Sequence, residues 1–134
     1  MSDNQPETRY ARQTLLQGWD QARLKEARVL VFGAGALGNE VVKLLVLVGV
    51  GLVTVVDFDV VAPSNLARCV FFRDEDVGQN KAVVVANRAH KLNSEVRVVP
   101  IAGNLAYELG KGYIRTYDIA LGCVDNLEAR WEIN

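Results

Sequence analysis

Three glycines and one acid carry the first chemical signal in this sequence. Gly33-Ala34-Gly35-Ala36-Leu37-Gly38 fits G-x-G-x-x-G, and Asp57 follows 19 residues after the last glycine. Glycines at this spacing allow a tight turn, let backbone approach phosphate oxygens, and let a helix pack closely on a strand. The N–H groups that open the following helix then face the phosphates, where the helix dipole also favours negative charge. The pattern reads as a nucleotide cradle. Taken alone, it makes a dinucleotide-dependent oxidoreductase the default reading, although ATP has phosphates such a cradle could also hold.

A cradle of this kind needs a strand before the glycines and another ahead of the acid. Arg28–Phe32 is a short apolar run of strand length, and Leu52–Val56 is a second, rich in β-branched residues and continuous rather than alternating, as in a covered parallel sheet. Between them residues 38–48 read as a helix that is apolar on nearly every side, which predicts burial between the sheet and other elements. Upstream, residues 10–16 and 21–27 read as helical pieces separated by Gly18-Trp19-Asp20, after a loose arm over residues 1–7. Downstream, residues 60–77 form an irregular stretch long enough to suggest function. In residues 79–92 Ala82, Val85, Ala86, Ala89 and Leu92 fall at helical spacing, with Lys81, Arg88 and Lys91 off that stripe. Residues 96–101 and 119–124 supply a third and a fourth strand, with a weaker helix over residues 105–115 between them.

Alternation of strands and helices at these spacings predicts a Rossmann-like, doubly wound α/β fold with a mainly parallel sheet of order 3-2-1-4. Ligands in such sheets bind beyond the carboxyl ends of the strands. Gly33, Asp57 and Asp125 all fall at those ends, so segments far apart in sequence converge on one crevice. The expected organisation is an N-terminal arm with helices over residues 1–27 and a nucleotide-binding domain over residues 28–134. Residues 126–134 begin a further helix, so the chain reads as the N-terminal half of a larger, truncated unit with its last strand an open edge.

Composition narrows the partners. At 134 residues, 50% hydrophobic and 23% charged, the chain has the makeup of one globular domain with a core. A formal net charge of −1 provides no electrostatic footprint for nucleic acid or an anionic membrane. The polar start is unlike a secretory signal, and the longest apolar run, residues 44–50, is far short of the roughly 20 residues that span a bilayer. Two cysteines, Cys69 and Cys123, are too few for a disulfide framework or a four-ligand zinc site and read as small apolar fillers. The expected compartment is a reducing cytoplasm.

The glycine loop does not stand alone. Arg9-Tyr10-Ala11-Arg12-Gln13, GAGALG, Asp57-Phe58-Asp59, Ser64-Asn65-Leu66-Ala67-Arg68, Gly78-Gln79-Asn80-Lys81-Ala82 and Asp125-Asn126-Leu127-Glu128-Ala129-Arg130 occur in that order. Together they resemble the ubiquitin-activating-enzyme superfamily, and most nearly the bacterial sulfur-carrier adenylyltransferases of the thiamine and molybdopterin pathways. The resemblance covers residues 9–134. It implies an enzyme that uses ATP and Mg2+ to convert the C-terminal carboxylate of a ubiquitin-like or sulfur-carrier protein to an acyl-adenylate, with release of pyrophosphate.

By that resemblance Gly33, Gly35 and Gly38 form the phosphate turn, Asp57 accepts from the ribose hydroxyls, Asn65 and Arg68 reach the phosphates, and Lys81 sits over the triphosphate. Asp125 would hold the magnesium ion. Arg12 matches an arginine finger that reaches into a partner's site, which implies a homodimer. Cys69 departs from the glutamine many relatives carry there. The resemblance also places a carrier-protein groove beyond Asn134, so the 134-residue piece alone is expected to be inactive.

Two other function classes stay in view: an NAD(P)-binding oxidoreductase domain, supported by the glycine loop and Asp57, and a non-catalytic scaffold subunit of an activating-enzyme dimer. Single residues also have plain readings. Asp59 fits a cap at a strand end, and Asp125 an N-cap of the final helix. His90 reads as solvated, while Trp19, Trp131, Phe71 and Phe72 read as packing.

Overall fold

The computed structural model describes residues 7–104 and 110–125. Its centre is a four-stranded parallel sheet, β1 (Arg28–Phe32), β2 (Leu52–Val56), β3 (Arg97–Ile101) and β4 (Ile119–Gly122), in the order β3-β2-β1-β4. This is the expected topology. Register is continuous, with Arg28 opposite Leu52 and Phe32 opposite Val56, then Val29 opposite Ile119 and Phe32 opposite Gly122. β1 and β2 have the bounds expected from the apolar runs. Their near-continuous hydrophobicity is explained by burial on both faces.

The two faces are filled differently. Val29, Val31, Val53 and Val55 project to the side covered by α2 (Ala36–Leu47) and α3 (Lys81–Leu92), where they meet Val42, Val46, Ala82, Val85 and Ala89. Leu30, Phe32 and Val56 alternate to the other side and pack against Ile114 of α4 (Lys111–Ile114) and Tyr117. There Thr54 satisfies its hydroxyl on the Tyr117 hydroxyl at 2.7 Å, so this buried polar group is not orphaned beneath that helix.

Before the sheet, α1 (Gln21–Glu26) starts where the Asp20 carboxylate accepts from Arg23 N at 3.0 Å. Residues 10–16, expected as helix, form only a 3-10 turn at Gln13–Leu15. Tyr10 anchors this segment: it is buried, and its hydroxyl accepts from Asn93 Nδ2 at 2.8 Å. Residues 60–77 contain two 3-10 turns, Pro63–Asn65 and Asp74–Asp76, and no strand.

Three expectations are corrected. α2 begins at Ala36 rather than Gly38, because Gly35 is itself the N-cap residue. The same helix is not enclosed: Gly38, Asn39, Val42 and Val46 are buried, whereas Leu37 and Leu44 are 59% and 57% exposed. Its apolar residues outnumber those the sheet can cover. Leu92, expected on the buried stripe of α3, is exposed, while Val84 is buried in addition to the expected residues. Of the helix expected over residues 105–115, the described part is α4. The helix expected over residues 126–134, with Trp131, lies outside the described residues, as does most of the N-terminal arm.

Candidate functional site

The glycine turn is built by three different constraints. Gly33 has φ +98°, in the left-handed region, and a Cβ there would lie 2.6 Å from the Cys123 carbonyl oxygen at the end of β4. A Cβ on Gly38 would lie 1.9 Å from the Gly33 carbonyl oxygen, so α2 is pressed onto the turn. Gly35 is different. Nothing stands within 4 Å of a Cβ placed there, and the open space is the cavity itself.

That cavity has a volume of about 460 Å³, within the range of small-molecule sites. It lies at the carboxyl ends of β1, β2 and β4. Gly33, Gly35, Asp57, Asn65, Arg68, Lys81 and Asp125 line it, with Ala36, Leu37, Val56, Phe58, Asp59, Gly103, Asn104, Cys123 and Val124. Seven of the nine expected site residues are therefore brought together. Gly38 acts one layer below, as the contact between helix and turn. Arg12 is exposed and is not part of the wall.

Each wall residue is held by the fold. Asp57 Oδ2 accepts from Ala34 N at 2.8 Å and Oδ1 from Asp59 N at 2.8 Å, so the acid at the tip of β2 also fixes the glycine turn. Each of its oxygens keeps a second lone pair for a ligand hydroxyl. Asn65 is buried with Oδ1 accepting from Ala62 N at 2.8 Å, which leaves its NH2 group as a donor. Arg68 is exposed and forms no ion pair among the described residues. Lys81 opens α3, is mostly buried along its stem, and lies 3.8 Å from Asp59 Oδ2.

Asp59 does not simply cap a strand. It offers its carboxylate to Lys81, and its carbonyl accepts from Lys81 N at 2.9 Å. Three carboxylates, Asp57, Asp59 and Asp125, face two cations, Arg68 and Lys81. A polyphosphate entering this wall would meet Asp125 with unfavourable charge unless a cation lay between them. Burial raises the thiols of Cys69 and Cys123; for Cys69 the charges of Arg68 and Lys81 partly oppose it. Both thiols stay neutral at ordinary pH, in keeping with the filler reading, although Cys123 also forms part of the cavity wall.

Several contributors escaped the sequence reading. Asn39, fully buried in α2, donates from Nδ2 to the carbonyls of Ala34 and Gly35, both at 2.9 Å, and accepts on Oδ1 from Phe71 N at 3.0 Å. Asn80 caps α3 by accepting from Val83 N at 3.1 Å and donates to the Asp57 carbonyl at 3.0 Å. The signal for Asn39 was present: it shares the buried stripe of Val42 and Val46, where an amide must find partners. Gly103 and Asn104 follow β3 and carried no such signal.

Residues 10–134 match the family model described as the ThiF family. The chain is 43% identical over 131 residues to the sulfur carrier protein adenylyltransferase of Thermus thermophilus, covering 94% of the chain and 48% of that protein. It is 36% identical over 129 residues to the molybdopterin-synthase adenylyltransferase of Salmonella typhimurium, covering 94% and 52%. It thus spans about half the length of these relatives. The crystal structure of E. coli MccB with ATP superposes with a TM-score of 0.78 at 32% identity, over 92% of this chain and 39% of that one. Sheet order, glycine turn and family match agree, and the chain belongs to the ThiF family.

Proposed function

We propose that this chain forms the nucleotide floor of an enzyme that uses ATP to adenylate the C-terminal carboxylate of a sulfur-carrier or other ubiquitin-like protein. The observation that carries this reading is the convergence of Asp57, Asn65, Arg68, Lys81 and Asp125 around the open face of Gly35. Similarity to adenylyltransferases named for sulfur-carrier and molybdopterin-synthase substrates supports the substrate class. The structure of a similar protein, E. coli MccB, with ATP supports the nucleotide.

The residues suit the chemistry. In the reaction a carboxylate oxygen bonds to the α-phosphorus, and the bond from that phosphorus to the pyrophosphate oxygen breaks with its electron pair. No proton has to move, because the nucleophile is already an anion. The barrier is repulsion between anions and charge gathering on the leaving group, which preorganised cations and N–H donors lower. In this reading Asp57 accepts from the ribose, the turn N–H groups and Asn65 donate to phosphate oxygens, and Arg68 and Lys81 balance the charge of the phosphate chain.

Magnesium fits this donor set. The Asp125 carboxylate on the cavity wall is a hard oxygen donor of the kind this cation takes. Asp125 is the residue that would hold it, and the ion would neutralise phosphate charge. Arg12 stands outside this wall, so we assign it to the cavity of a second copy, making the working unit a homodimer. Among the described residues no helix is long and apolar enough to cross a membrane. Cys69 and Cys123 are free thiols, which suits a reducing compartment, and we place the reaction in the cytoplasm on that ground.

Exchange of labelled pyrophosphate into ATP tests the proposal, using this chain within its intact protein and a sulfur-carrier protein with a free C-terminal carboxylate. Carrier-dependent exchange that collapses on Asp125→Ala is expected. Absence of exchange with every carrier, together with unchanged ATP binding in Asp125→Ala, would sink it.

A further inference from the structure

We propose that Asn39 is a positioning residue that aims the phosphate-binding N–H groups and ties them to the loop bearing Asn65 and Arg68. The proposal rests on the ATP reading above. Asn39 touches no ligand, since it is fully buried beneath the turn. Its influence comes through peptide geometry. In a trans peptide unit the C=O and the N–H point in opposite directions. By holding the Ala34 and Gly35 carbonyls inward at 2.9 Å, Asn39 turns the N–H groups of Gly35 and Ala36 the other way, toward the cavity that both residues line.

The same side chain reaches the second wall. Its Oδ1 accepts from Phe71 N, 32 residues further along the chain. Phe71 and Phe72 are buried, and a run of backbone bonds leads back from them to the site: Phe72 N to Cys69 O at 3.2 Å, and Cys69 N and Arg68 N to Asn65 O at 3.0 and 3.2 Å. One amide therefore fixes the donors on the turn and the C-terminal end of the Asn65–Arg68 segment. Only a side chain with donors and an acceptor can do both. Aspartate of the same shape keeps the acceptor for Phe71 and sets an oxygen against two carbonyls, while leucine offers neither.

The consequence is specific to phosphate. Ribose is served by Asp57, which has its own anchors at Ala34 N and Asp59 N. The test measures ATP and adenosine affinities by competition against a fluorescent ATP, with thermal melts, for the intact protein carrying this chain and for its Asn39→Asp variant. ATP binding should weaken by about tenfold or more, as for loss of an aimed hydrogen-bonding group, while adenosine changes by less than about twofold. Equal weakening of both ligands, or unchanged ATP affinity in a cooperatively melting variant, overturns the role.

Asn39→Leu carries the same expectation if the aspartate variant does not fold. If neither folds, amide exchange in the unsubstituted chain decides: ATP should slow exchange at Gly35, Ala36 and Phe71 together, and no change at Phe71 overturns the coupling. Failure of the unsubstituted chain to bind ATP at all is a separate result, and it removes the nucleotide reading on which this role depends.

Discussion

Alanine at Gly35 and alanine at Gly38 should have opposite effects, because the two positions in one motif meet different surroundings. At Gly38 the added Cβ would lie 1.9 Å from the Gly33 carbonyl oxygen and 2.8 Å from its carbon, against the 3.0 Å floor for real Cβ contacts. Both partners are backbone, so turn and helix must separate by about 1 Å. Overpacking of that kind costs about 1–3 kcal/mol, and rigid backbone on both sides puts this case at the upper end. For a domain of this size a loss of about 3 kcal/mol lowers the melting temperature by roughly 10 °C.

At Gly35 the backbone is extended, with φ −78°, and the Cβ meets nothing within 4 Å. Alanine is a poorer N-cap than glycine, costing about 0.5–1 kcal/mol. A stiffer unfolded chain recovers about 0.4–1 kcal/mol. The melting temperature should move by less than about 3 °C. Yet the new methyl occupies the space a phosphate oxygen would use, so ATP affinity should fall by about tenfold or more. Thermal unfolding by circular dichroism and calorimetric titration with ATP and magnesium separate the two cases. A Gly35→Ala protein that binds ATP normally, or a Gly38→Ala protein that melts normally, would refute the assignment.

Other perturbations follow from single contacts. Lys81→Met keeps the buried stem and removes the charge beside Asp59, so stability should change by less than about 1 kcal/mol while calorimetry shows ATP binding weakened by about tenfold or more. Arg88 joins α3 to the exposed Glu75 at 2.6 Å and to the buried Asp76 at 3.1 Å. Thermal melts should therefore show Arg88→Met clearly destabilised, because a buried carboxylate loses its cation, and Glu75→Gln nearly unchanged. Burial raises the Cys69 thiol, so the stability tied to its neutral form is complete below the ordinary thiol range and declines as pH rises through and above it. Cys69→Ala should flatten the alkaline limb of melting temperature against pH.

What could be read in advance follows from what sequence periodicity encodes. β1 and β2 were legible to the residue because a strand covered on both faces is a continuous apolar run, and the turn glycines bound one of them. The convergence of Gly33, Asp57 and Asp125 followed from topology, since parallel strands put all their carboxyl ends on one side. The start of α2 was not legible, because its N-cap is a glycine of the phosphate motif rather than a side-chain acceptor. Nor was the exposure of Leu37 and Leu44: hydrophobicity marks which residues could be covered, and the sheet covers only one face of the helix. The buried stripe of α2 marks Asn39 as an amide in need of partners but does not say which. Its partners, Ala34, Gly35 and Phe71, are backbone groups brought near by the fold, and no spacing in the sequence announces them.

We propose that the cavity beyond β1, β2 and β4 takes a phosphate chain with magnesium rather than a dinucleotide. Calorimetric titration of the chain with ATP and with NAD, each with and without magnesium, tests it most directly. ATP should bind more tightly than NAD, magnesium should strengthen ATP binding, and Asp125→Ala should abolish the magnesium effect while leaving the melting temperature unchanged. Tighter binding of NAD, or magnesium dependence that survives Asp125→Ala, would contradict it.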